Sequence, residues 1–470
     1  MSPQFVLSFK PDISFIEQLE SQQVLLQSSP AYRLKFQPIQ PGLNMALKAL
    51  SYGGATLDQL NQWVKEDEGS YPALKFYLYL QKFSQLGWLC HSVLANGKVI
   101  ATAVAIAPHT QLPPVEVTKE TQYMLSRFAY LHQVEGKMLL ESPLSKMQIY
   151  LPDWRSVALI SQLSQPCTYL ELTEQVPGIC LQTAKQLIGL LLSAQMLTPY
   201  PEGMEEEGSI ALRQWEFHDL LFHTRSRQGR HGNLVGGTYR FTGKIEPLPD
   251  VKPPMSKEAI ALFKPDIETL KTTDISFTQV LETRRSIREY GENPLTLQQL
   301  GEFLYRCARV RRTMSTEHGE LCDRPFPSGG GLYELELYPV IKLCTNITSG
   351  LYHYHPQEHK LYRISASNSM TETLLQNAAL SMAKQDQLQV LIMITARFQR
   401  LAWKYESIAY TLMLKHVGVL YQTMYLVATA MNLAPCAIGC GDSDLFTKAT
   451  GVDYYAETSI GEFVLGSRQE

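Results

Sequence analysis

Asn96-Gly97 sits between two apolar runs, Trp88–Leu94 and Lys98–Ile106. A two-residue hairpin turn of the favoured type needs positive φ at both central positions, and Asn followed by Gly meets that need at little cost. The two runs are therefore expected to pair antiparallel in a fixed register. Upstream, Arg33–Ile39 alternates as a strand, and Gly42–Leu50 has helical spacing that stops at Gly53-Gly54. Thr56 is placed to cap a second helix, and Tyr71–Leu86 supplies a third with apolar residues three and four apart. Three helices and a hairpin make a winged-helix-like module.

The pattern recurs about a hundred residues on. Runs around Glu135-Gly136 form a second hairpin, and Trp154–Leu163, Tyr169–Val176 and Leu181–Met196 are expected helices. A DNA-reading module would crowd Lys and Arg onto its last helix, and Leu181–Leu197 offers only Lys185. The whole chain carries 42 Lys plus Arg against 45 Asp plus Glu, a net charge of −3. That balance lacks the basic excess of a general nucleic-acid binder, and the 45% hydrophobic content excludes a disordered chain. No apolar run approaches the ~18 residues a membrane helix needs. The N-terminus lacks a basic segment followed by an apolar stretch, so a cytoplasmic protein is expected. Eight cysteines without a CxxC pair read as reduced thiols.

From Pro201 to Pro254 the composition changes to an acidic run (Glu205–Glu207), scattered glycines, and Pro247, Pro249, Pro253 and Pro254. Trp215–His223 within it is too aromatic for a spacer and should pack onto a domain. The last 200 residues read as one α+β domain. Helices are expected at Phe277–Thr283, Thr296–Arg309, Met370–Lys384 and Ser407–Met431, and strands at Leu337–Cys344, Gly350–His355, Lys360–Ile364, Val390–Ala396 and Glu462–Gly466. The expected division is 1–110 and 111–205 for the two modules, 206–270 for a linker packing on the domains, and 271–470 for the α+β domain.

Arg284-Arg285-Ser286-Ile287-Arg288 places three guanidiniums in five residues. They repel one another unless an anion lies among them, and phosphate is what Arg grips best. Forty residues later, Pro327-Ser328-Gly329-Gly330 allows backbone N–H groups to approach a flat ligand. Gly439-Cys440-Gly441 is a second such turn, and Arg468 follows in the tail. Lys404-Tyr405 taken alone reads as a helix-start lysine and a packing aromatic. His416 alone reads as a core histidine bonded to a carbonyl. His353, His355, Cys436 and Cys440 form no joined ligand cluster, so no metal is assigned.

In this order the motifs resemble the FMN-binding nitroreductase superfamily, with Met431–Pro435 closing the long helix. Trp403-Lys404-Tyr405 before that helix is most similar to the azole-forming dehydrogenases of ribosomal peptide modification. The resemblance implies a C-terminal nitroreductase-like FMN domain preceded by two tandem winged-helix-like peptide-clamp domains, and a homodimer with FMN at its interface. It implies that Arg284, Arg285, Ser286 and Arg288 hold the flavin phosphate and ribityl chain. Pro327, Ser328, Gly329 and Gly330 would lie along the isoalloxazine, with Gly439, Gly441 and Arg468 closing the phosphate side. The substrate would be an azoline-containing precursor peptide, its leader recognised by the N-terminal modules, with O₂ as final acceptor. Oxidising an azoline to an azole removes a proton and a hydride, so a base is needed, and Lys404 and Tyr405 are the candidates. Both residue types ordinarily keep their protons at neutral pH, so that role requires burial or a neighbouring cation. The competing readings are an NAD(P)H-dependent nitro- or quinone reductase and a non-catalytic leader-peptide-binding scaffold.

Overall fold

The computed structural model describes residues 5–18, 23–28, 32–68, 71–107, 109–201, 209–383 and 388–469. The Glu205–Glu207 run and Lys384 lie outside the described residues, as do Met1 to Gln4. The chain divides into two compact units, Met1–Asn233 and Leu234–Glu470.

In the first unit the hairpin turn forms as its sequence requires, with φ of 53° at Asn96 and 74° at Gly97. Glu135 and Gly136 repeat this at 49° and 81°. Both hairpins enter one antiparallel sheet, in the order Ala55–Thr56, Val6–Phe9, Leu89–Ala95, Lys98–Ala105, Met147–Leu151, Lys137–Glu141, Tyr130–Val134. Lys98–Ala105 pairs with Met147–Leu151, so strands of the two repeats share that sheet. Trp154–Gln162, Tyr169–Gln175 and Leu181–Ser193 contribute Leu159, Leu172, Leu187 and Leu191 to a core with Ile100, Ala103 and Ile149 from the sheet. The helices Pro41–Tyr52, Leu57–Lys65 and Pro72–Gln85 close a second core around Leu47, Leu60, Phe76 and Phe83. That core also takes Val24 and Leu26 from a three-stranded sheet, Ser14–Gln18, Gln23–Ser28 and Tyr32–Phe36, of which the sequence pattern revealed only the last strand. The aromatic segment after the acidic run does pack: Phe217–Arg225 is a helix, its Phe217 ring sits edge-on to Tyr130 at 5.6 Å, and Arg225 pairs with Glu141 at 2.8 Å.

The second unit is built on another seven-stranded antiparallel sheet: Ala259–Ala261, Lys360–Ala366, Gly350–His355, Leu335–Ile341, Val390–Arg397, Glu457–Ser467, Leu433–Ile438. Four inner strands, Gly350–His355, Leu335–Ile341, Val390–Arg397 and Glu457–Ser467, are almost wholly buried because helices cover both faces. Leu297–Ala308 and Ala409–Ala430 lie on one face and Ser369–Ser381 and Ser443–Thr450 on the other. The long helix stops at Ala430 and does not run to Pro435. Asn432 adopts φ 55° and Leu433–Ile438 becomes the edge strand. The hairpin Arg312–Thr316 with Gly319–Asp323 was not anticipated. The proline-rich stretch from Leu234 onward is part of this unit: Ala259–Ala261 is its outer strand, and Lys252 pairs with Glu457 at 2.6 Å. All eight cysteines are free. Among the described residues no helix is long and apolar enough to cross a membrane.

Candidate functional site

The Ser328 loop links the exposed hairpin to the buried strand Leu335–Ile341. Its turn needs left-handed backbone at Gly330 (φ 64°) and Gly331 (φ 69°), and continues into Tyr333 at φ 46°. A β-carbon at Gly330 would stand 2.5 Å from Lys404 Nζ and 2.8 Å from Tyr405 Oη, so the glycine backbone is in contact with both. Folding thus brings the glycine loop and the Lys-Tyr pair to one spot across 74 residues of chain (404 minus 330). Lys404 and Tyr405 lie between the short helix Phe398–Ala402 and the long helix, both half-buried, and Ser407 turns the chain at φ 61°. Lys404 is therefore not the solvated helix-start lysine its dipeptide suggests.

A strap from the first residues of the second unit holds this pair. Gly236–Gly237 pairs with Tyr405–Glu406, and the amides of Thr238 and Tyr239 both donate to the Lys404 carbonyl, at 3.0 and 3.2 Å. Tyr239, at φ 53°, lays its ring 5.3 Å from Lys404 Nζ, while the Tyr405 ring lies 5.5 Å away. The lysine is thereby held between two aromatic rings. His318 of the hairpin turn packs on Tyr239 at 4.2 Å, and Trp403 donates to the Ile245 carbonyl at 2.6 Å. Buried Arg400 ties these parts together by donating to the carbonyls of Leu332, Leu248 and Glu320. Burial, with Arg397 nearby, lowers its pKa to about 10. Left-handed non-glycine residues cost energy and gather where a site must be held in shape. Three of them, Tyr239, Tyr333 and Ser407, flank this one.

His416 is not bonded to a carbonyl. Its Nδ1 faces Glu334 Oε1 at 2.7 Å, and its Nε2 accepts the Gly329 N–H at 2.8 Å. Glu334 is fully buried, and the Ser328 hydroxyl reaches its other oxygen at 3.4 Å.

Nine residues further along the same helix, about 13 Å at a helical rise of ~1.5 Å per residue, Tyr425 meets the arginine segment. Ser286 Oγ lies 2.7 Å from Tyr425 Oη, Ile287 N–H donates to Pro435 O at 2.8 Å, and Arg284 sits over the Tyr425 ring at 5.2 Å. Burial raises the Cys436 thiol pKa, against which the nearby Arg288 charge acts. Among the described residues none of Arg284, Arg285 and Arg288 forms an ion pair, and Arg285 and Arg288 are exposed. Three like charges without an acidic partner are what a phosphate site needs. Gly439 borders open space, whereas Gly441 packs onto Glu462, whose carboxyl is pushed up to about 7 by burial. Arg468 is engaged elsewhere, donating to Asn432 Oδ1 at 2.9 Å, and Pro327 is exposed at the loop entry.

Tyr239, His318, Arg400, Glu334 and Glu462 were missed by sequence reasoning. Only the two acids left a trace, as charges inside strongly apolar runs, Leu332–Val340 and Gly461–Leu465.

Residues 1–113 match the family profile described as the ThcOx helix turn helix domain, 123–232 that of cyanobactin oxidase ThcOx, and 281–466 that of the nitroreductase family. A Methanocaldococcus jannaschii protein named as a nitroreductase is 31% identical over 178 residues, covering 37% of this chain and 81% of its own. The trifolitoxin-processing protein TfxB of Rhizobium leguminosarum bv. trifolii is 23% identical over 164 residues, covering 34% of this chain and 44% of its own. A solved nitroreductase-type structure from Ralstonia eutropha aligns over 47% of this chain and 95% of its own, with 23% identity and a TM-score of 0.36. The chain belongs to the nitroreductase superfamily of oxidoreductases, as a member of the cyanobactin oxidase type with its helix-turn-helix domain in front.

Proposed function

We propose that the chain is an FMN-dependent oxidase that converts thiazoline rings of a ribosomally made, modified peptide to thiazoles. The reading is carried by the contact of Gly330 with both Lys404 Nζ and Tyr405 Oη, a loop suited to a flat ligand pressed against the two candidate proton carriers. A peptide substrate is supported by the cyanobactin oxidase profile and by the trifolitoxin-processing relative.

Aromatisation takes one proton and one hydride from adjacent ring carbons. When bound, the flavin supplies the two-electron acceptor, which O₂ would then reoxidise. Tyr405 receives the proton at Oη, with Lys404 Nζ held 5.5 Å from its ring centre. The strap residue Tyr239 keeps Lys404 from swinging into solvent. Arg284, Arg285 and Arg288 would hold the phosphate and Ser286 the adjoining chain, while Ser328, Gly329 and Gly330 line the ring. Gly439 leaves room on the phosphate side, whereas Gly441 is taken up by its packing on Glu462 and Arg468 by its bond to Asn432. The fit rests on the unpaired guanidiniums and on the glycine cradle that a β-carbon at Gly330 would fill.

The long helix supports a homodimer. Tyr410, Leu414 and Gly418, spaced four apart, form an exposed, largely apolar stripe along the edge of its buried face. The helix-turn-helix half would recognise the leader of the precursor peptide.

Incubating the pure protein with a heterocyclised peptide and weighing the product tests the reaction: a loss of two hydrogens per ring is expected. Lys404→Ala and Tyr405→Phe should keep a wild-type flavin spectrum and lose that mass change. Undiminished oxidation in both variants, or NAD(P)H-driven reduction of nitro compounds without peptide oxidation, would replace the reading.

A further inference from the structure

We propose that Glu334 and His416 are positioning residues that anchor the glycine loop from beneath and so set where Gly330 meets Lys404 and Tyr405. The role deepens the oxidase reading and rests on it. The imidazole is buried on the long helix and bonded on both sides. Its Nε2 accepts the Gly329 N–H at 2.8 Å, so that nitrogen carries no proton. Its Nδ1 must then bear the proton and donate it to Glu334 at 2.7 Å.

The Glu334 side chain has no exposure at all, and a polar group so buried is kept only where hydrogen-bond partners satisfy it. Among the described residues its side chain faces two donors, the imidazole and, at 3.4 Å, the Ser328 hydroxyl, which also accepts the Tyr333 N–H at 3.1 Å. One carboxylate thus fixes the loop through two routes: directly at Ser328, and through the imidazole at Gly329. A β-carbon at Gly329 would stand 3.3 Å from His416 Nε2 and 3.4 Å from Cε1, so the loop packs closely on that edge of the ring. The next residue, Gly330, is the one in contact with the Lys-Tyr pair. Neither acid nor imidazole reaches the reacting groups, and both act through the loop's backbone.

Two variants separate the bonds. His416→Gln can place an acceptor near the Nε2 position and keep the Gly329 bond, whereas His416→Asn places its amide near Nδ1 and keeps only the Glu334 bond. Hydrogen exchange of the loop peptide, read on protein stripped of flavin, should rise modestly in His416→Gln, which gives up the Glu334 bond, and far more in His416→Asn, which gives up the loop bond itself. In the flavin-loaded enzyme, His416→Asn should lose about 100-fold in kcat with little change in KM, the scale expected when reacting groups shift by about an ångström. His416→Gln should recover most of that loss and restore the visible circular dichroism of the bound flavin. Equal behaviour of the two variants, whether both resemble wild type or both fall together, overturns the assignment, as does a better His416→Asn. A colourless wild-type protein would defeat the flavin reading alone, because loop exchange still reports on the anchor.

Discussion

At the scale of single residues, the glycines of the site differ in what they tolerate. A methyl at Gly330 meets only the mobile ends of Lys404 and Tyr405, at 2.5 and 2.8 Å, so the fold can yield by moving them. Gly330→Ala should therefore cost about 1–2 kcal/mol for its left-handed backbone and remove peptide oxidation, as thermal melting and product mass spectrometry would show. Gly439→Ala meets nothing within 4 Å and should leave the melting temperature unchanged. Glu462 makes a prediction in pH. Burial raises its carboxyl to about 7 from the ordinary 4.5, so the folded chain binds more protons than the unfolded one between those values. Stability contributed at this position is present below about pH 4.5 and is lost as pH rises to about 7, a change on the order of 3 kcal/mol. Glu462→Gln removes the ionisation, so the gap between variant and wild-type melting temperatures should widen in the variant's favour from pH 5 to pH 8.

At the scale of elements, the long helix carries the most. Its buried face, through Met413, His416, Leu420, Met424 and Tyr425, joins the loop anchor to the arginine segment, while Leu414 and Tyr410 face outward. Leu414→Glu should halve the mass measured by light scattering and reduce flavin occupancy, since the proposed cofactor site is completed by a second copy. Much of this element level was legible in the chain. Phe277–Thr283 and Gly350–His355 fall where periodicity puts them, and Asn96-Gly97 and Glu135-Gly136 turn as their chemistry demands. What escaped was long-range. Gly236-Gly237 looked like a loosening of the chain but is a strand whose partner, Tyr405–Glu406, lies far along the sequence. Glu334 gave no sign of its partner, because nothing local links an acid at a strand start to an imidazole 82 residues later. The run after Met431 kept an apolar helical look, and a single left-handed Asn432 turned it into a strand.

At the scale of the whole molecule, each unit has cores of its own, around Leu187 and Phe76 in one and around Phe303 and Phe446 in the other. Arg227 and Arg230 are exposed on the last residues of the first unit. Brief trypsin treatment should cut there and give two stable fragments of about half the mass, the flavin staying with the larger-numbered one. Loss of colour on cleavage would tie cofactor retention to the intact chain. The strap from Gly236 to Ile245 bears on how such an enzyme could be rebuilt. The Lys404 carbonyl takes two amides from it, and Trp403 a backbone carbonyl. An engineer who transplanted Trp403-Lys404-Tyr405 into a bare flavoprotein core would graft a loose tripeptide. The portable part is the pair together with the binding that laces it down, although the two are separated by more than 150 positions along the chain.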